Sequence, residues 1–111
     1  MEYKSPVPLP KEESERVFAE GEPPAISETL IAAALNGEDR EWVERWIVLL
    51  SQHPDVGVRK TTAVALGHLA RLHGSVSSPA ITAIQALLKD ERTAGAAGDG
   101  LDDVNMFCRR N

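Results

Sequence analysis

Asp55-Val56-Gly57-Val58-Arg59-Lys60-Thr61-Thr62-Ala63-Val64-Ala65-Leu66-Gly67-His68-Leu69 is the stretch that decides the fold. Val58, Thr62, Ala65, Leu66 and Leu69 recur at helical spacing, and Leu72 extends the stripe, so one face of this helix must be buried. Pro54 disfavours helical geometry at His53, which leaves Asp55 placed to cap the helix with its carboxylate. His73-Gly74 closes it.

Outward from this helix the pattern repeats. Asp55 and Asp90 each open a helix after a run ending in paired leucines, Leu49-Leu50 and Leu87-Leu88. Ala65-Leu66 and Gly100-Leu101 share an offset of 35 residues, as do Leu69 and Val104. That period is one helix–turn–helix unit, and such units bury their apolar faces only by stacking.

Upstream, Asp39 can cap a helix of roughly Arg40 to Gln52, with Trp42, Val43, Trp46, Ile47, Leu49 and Leu50 as its apolar face. Glu41, Glu44 and Arg45 point toward the other side. Before it, about Pro24 to Leu35 carries Ile26, Leu30, Ala33 and Ala34 as a stripe and stops at Asn36-Gly37. Lys11 to Glu20 forms a short first helix, offering Val17 and Phe18 for packing and ended by Gly21 and Pro23-Pro24. Residues 1–10 carry proline at every second position from Pro6, which blocks helix and predicts an extended arm. Downstream, Ser77-Ser78-Pro79 reads as a cap with proline in the first turn, followed by Ile81, Ile84, Leu87 and Leu88. A final helix from about Arg92 to Arg109 aligns Ala94, Ala97, Leu101, Val104 and Cys108.

The Asp-turn, the Val58-Arg59 pair, the small residues and Leu66-Gly67 together resemble the second half of a HEAT repeat. The likeness is best over residues 38–74, weaker over 79–108 and only suggestive before 37. It implies an all-α, HEAT-like α–α superhelix of about three stacked helical hairpins, with residues 11–111 as one domain. In such arrays the residues matched by Asp55 and Arg59 link neighbouring units. Ala94 stands where the arginine would recur, so the ladder stops there.

Composition agrees with stacked helices. Hydrophobic residues make up 42% of the 111 residues and aromatic ones only 5%, so Ala, Leu, Val and Ile must fill the core. The net charge of −5 lacks the basic footprint of a nucleic-acid binder. It suits a partner with a basic surface, and it equally suits solubility. One cysteine excludes an internal disulfide framework, and no run approaches a membrane span. With no secretory leader at the start, a cytoplasmic location is expected.

Chemistry is sparse. His53, His68 and His73 lack the four-residue spacing of a zinc pair, and no HExxH is present. Cys108 falls on an apolar stripe and reads as a structural thiol. Asp102 and Asp103 point about 100° apart on a helix and do not converge as an acid–base pair. The Gly-Ala-Ala-Gly-Asp-Gly run from Gly95 has neither the lysine nor the strand of a phosphate loop. Each of its three glycines costs about 1 kcal/mol in a helix interior, so close approach to a neighbouring helix or a partner is the expected reason for them. Trp42 and Trp46 serve the core, or anchor an interface if exposed. No metal, cofactor or catalytic constellation emerges, and the chain reads as a non-enzyme.

In size, acidity and architecture the chain looks like the immunity proteins of contact-dependent growth-inhibition toxin systems. That resemblance implies a protein, monomeric when free, that masks the active site of a cognate toxin with a basic surface. Glu38, Asp39, Glu41, Glu44, Asp99, Asp102 and Asp103 are then the expected partner-binding residues. A HEAT-type adaptor in a larger assembly is the alternative, and it predicts exposed apolar end faces.

Overall fold

A central helix, Val56–His73 (α4), organises the molecule. The structure is a computed structural model that describes residues 9–36 and 39–108. Its other α-helices are Lys11–Glu20 (α1), Pro23–Asn36 (α2), Arg40–Leu50 (α3), Ser78–Ala86 (α5) and Glu91–Phe107 (α6). A single 3₁₀ turn, Leu87–Lys89, joins α5 to α6, and no strand occurs among the described residues. Of the N-terminal arm only Leu9 and Pro10 are described, and neither is helical.

Side-chain caps set most of the helix starts. Asp39 accepts from Trp42 N, Asp55 from Val58 N, Ser77 from Ala80 N and Asp90 from Arg92 N. Each satisfies an amide that the helix itself cannot pair. Gly74 ends α4 with φ of +67°, a left-handed geometry that glycine adopts without strain.

The helices form two layers. α4 lies between α2 and α6, while α3 packs on both α4 and α5. Phe18 of α1 joins the α3 side, with its ring 4.9 Å from Trp46 and 6.1 Å from Trp42. Trp42 is buried and Trp46 half-buried against the same core, so the pair is used for packing. Ile26, Leu30, Val43, Ile47, Val58, Leu66, Leu69, Ile84 and Val104 fill the space between the layers.

The stripes read from sequence hold for the middle of each helix and slip at the ends. Leu49 is 62% exposed and Leu72 is 54% exposed, although both continue an apolar spacing. Leu72 sits in the last turn of α4, whereas Leu49 points away from the line of Val43, Ile47 and Leu50 that takes the buried side of α3. On α6 the buried line is Thr93, Ala97, Gly100 and Val104, while Ala94 and Leu101 are only half-buried. The helix is rotated so that its smallest residue meets α4. A Cβ on Gly100 would come within 2.5 Å of the Ala63 carbonyl oxygen, so the α4 and α6 backbones touch there.

Arg59 ties α4 to the start of α6. Arg59 donates to the carbonyls of His53 (2.8 Å) and Pro54 (2.9 Å) and pairs with Asp90 at 3.5 Å.

Candidate partner-binding surface

The acidic residues singled out in the sequence divide into two separate groups. The first belongs to the start of α3. Asp39 caps that helix at 3.1 Å from Trp42 N and pairs with Lys11. The Lys11 bond, aided by the Trp42 amide, holds its carboxyl below the ordinary value. Lys11 also lies 5.4 Å from the centre of the Trp42 ring, whose indole N–H donates to Glu15 at 2.8 Å. Asp39 is therefore engaged within the chain. Glu41 is exposed. Glu38 lies outside the described residues.

Glu44 corrects the sequence reading. It is buried, 4% exposed, rather than on an outward face. Its Oε2 accepts from Ser77 N at 2.6 Å, and its Oε1 is 3.9 Å from Arg40 Nε. Ser77 is the N-cap of α5, so this carboxylate occupies the positive end of that helix. A buried carboxylate is tolerated only with such partners. Glu44 joins α3 to α5 and is not available to another protein.

The second group lies on α6. Asp99 and Asp102 are exposed, and no described residue makes a hydrogen bond or ion pair with either. Asp103 is half-buried and pairs with Arg71 of α4 at 3.3 Å. It leans across Gly67, where an added Cβ would meet its Oδ2 at 2.5 Å. Arg71 is not legible in this role from sequence, because the pair spans 32 residues. A cleft of about 200 Å³ between α4 and α6 is lined by Val64, Arg71, Ala96, Asp99, Gly100 and Asp103.

The three α6 glycines do not share one explanation. Gly100 is packed on α4, as expected of close approach. Gly95 and Gly98 have nothing within 4 Å of where a Cβ would stand. The fold does not require either to lack a side chain.

The remaining titratable groups are spread out. His53 Nδ1 accepts from Asp55 N at 3.0 Å, and His73 is exposed at the end of α4. His68 is half-buried, and burial followed by repulsion from Arg71 lowers its pKa against the pull of Asp103. Cys108 caps α6 and packs against the core. Among the described residues no three His, Cys, Asp or Glu side chains gather closely enough to hold a metal ion. No described helix is long and apolar enough to cross a membrane.

A larger cleft of about 340 Å³ opens where Leu9, Pro10 and Lys11 meet Ala33, Asn36, Asp39, Trp42 and Val43. Another of the same volume runs between α3 and α5 over Glu41, Arg45, Val48 and Pro79.

No protein-family model and no curated protein matches this sequence. Among solved structures, the fold is similar to a chain in the crystal structure of a CDI complex from Cupriavidus taiwanensis LMG 19424, with a TM-score of 0.82. The two chains are 29% identical, and the alignment covers 96% of this chain and 97% of the other. The chain thus resembles, along nearly its whole length, a component of a CDI complex.

Proposed function

We propose that this chain is an immunity protein, which binds a cognate toxin in the cytoplasm and neutralises it by masking its active site. The observation that carries the reading is the fold match, over nearly all of both chains, to a component of a CDI complex. In contact-dependent growth inhibition, CDI, a toxin pairs with its immunity protein. A stacked-helix scaffold with exposed carboxylates, and with no converging acid, base and nucleophile among the described residues, suits a binder better than a catalyst. The net charge of −5 favours a toxin with a basic surface, since opposite fields speed encounter. Nuclease toxins have such basic surfaces in their substrate grooves.

The test is co-expression with the product of the toxin gene neighbouring this chain's own gene. Co-purification and restored growth are the expected results. A wild-type chain that neither binds nor protects removes the proposal.

The adaptor reading has one observation in its favour. Met106 and Phe107, at the end of α6, are 73% and 41% exposed. Sizing chromatography separates the two readings: an immunity protein runs as a monomer without its toxin, whereas a stacking subunit self-associates or needs a constitutive partner.

A further inference from the structure

The outward face of α6 is made of residues that weaken the helix they belong to. Its buried side is Thr93, Ala97, Gly100 and Val104. At 100° per residue, Gly95, Gly98, Asp99, Asp102 and Met106 fall on the opposite side. Each of the two glycines costs about 1 kcal/mol relative to alanine, and neither relieves a clash inside the chain. Aspartate is a poor helix former, and Asp99 and Asp102 both stand in the interior of α6, beyond the N-terminal turn where an anion is favoured. Asp99 and Asp102 gain no compensating cation among the described residues. Arg92, the one cation on α6, is held by Asp90 through Nε and Nη2 at 3.2 and 3.0 Å. Met106, 73% exposed, ends the face with an adaptable apolar side chain. Local choices that oppose the fold without return inside it mark functional surface.

The α4–α6 cleft borders this face. At about 200 Å³ it is smaller than the ~300–1,000 Å³ of small-molecule sites, which suits one long side chain of a protein. Its wall carries the exposed Val64 beside Asp99 and Asp103, and Arg71 occupies only the Asp103 side. An aliphatic wall with a free carboxylate at its rim matches a lysine or arginine, whose stem is apolar and whose head is cationic.

We infer that the toxin docks on the outward face of α6, laying a basic segment across the bare backbone at Gly95 and Gly98 and placing one cationic side chain in the α4–α6 cleft against Asp99. This rests on the immunity reading and assigns the face through which it acts. The glycines let the partner backbone approach as closely as α4 approaches Gly100 from the other side.

Affinity for the neighbouring-gene toxin is measured by calorimetry for four chains. Wild type binds. Asp99→Lys/Asp102→Lys and Gly98→Leu each weaken binding at least tenfold with unchanged circular dichroism, while Glu20→Lys at the exposed end of α1 stays within twofold. The side chain added at position 98 projects into open space, so that variant keeps its fold. Should it nevertheless lose helicity, the double aspartate variant decides alone. Wild-type binding and protection, with both α6 variants binding as well as wild type, overturns the docking face and leaves the immunity reading standing. A wild type that fails to bind sinks both.

Discussion

Arg59 of α4 reaches Asp90, the N-cap of α6, with Nη2 3.5 Å from Oδ2, while its Nη1 holds the carbonyls of His53 and Pro54. Asp90 stands 35 residues after Asp55, the N-cap of α4. The arginine of one unit thus ties its own entry turn to the cap of the next. Its side chain is only 15% exposed, so the contact is shielded from water more than a surface ion pair. Arg59→Ala takes the donor from the His53 and Pro54 carbonyls and removes one of the two arginines at Asp90, and a loss of about 2 kcal/mol in urea unfolding is expected. Toxin affinity should remain that of wild type.

Glycine-to-alanine changes on α6 should have opposite signs. Gly95→Ala and Gly98→Ala each raise stability by about 1 kcal/mol, because the added methyl meets open space and helix propensity improves. Gly100→Ala lowers it by about 1–3 kcal/mol, since the methyl meets the Ala63 carbonyl and backbone cannot turn aside. Thermal melts of the three single variants check this.

Glu44→Ala removes the acceptor for Ser77 N from a buried site, at an expected cost of about 2 kcal/mol. Glu44→Gln keeps an acceptor oxygen and should cost roughly half as much. Equal losses for both would show that charge, and not the hydrogen bond, anchors α5. Chemical denaturation of the two variants distinguishes these outcomes.

Stability should decline in two steps on acidification. The folded pKa of His68 is lowered below 6.5, chiefly by burial, so its contribution is complete above 6.5 and is lost as pH falls from there through the folded value. Asp39 and Asp90 are both lowered from 3.8, by hydrogen bonds from Lys11 and Arg92 respectively, so their contributions persist above 3.8 and disappear below it. His68→Gln should flatten the upper step and leave the lower one. Asp103→Asn should push the His68 pKa further down, because Asp103 acts to raise it. Proton NMR titration and pH-dependent melts read these effects.

Sequence alone reveals most of the helices, because four of the six starts are marked by a capping side chain that acts on the next few amides: Asp39, Asp55, Ser77 and Asp90. Such information is local and survives in one dimension. The fate of Glu44 is not local. Its acceptor role depends on an amide 33 residues away, at the start of a helix in the same layer, and a helical wheel places any charge outward. Leu49 and Leu72 fail for the converse reason: apolar residues continue beyond the face that neighbouring helices cover, and at the end of α3 it is Leu50 that takes the buried place. The α6 glycines were legible as a cost and not as a division of labour, since only the packed structure separates Gly100 from Gly95 and Gly98.

The contact of Gly100 with Ala63 has a bearing on when this protein becomes useful. The outward side of α6 exists as a shaped surface only after its inward side has found α4. On the docking face proposed above, a molecule whose α6 has not yet seated would offer the toxin nothing to grip, and the onset of shielding would be set by the seating of that one helix.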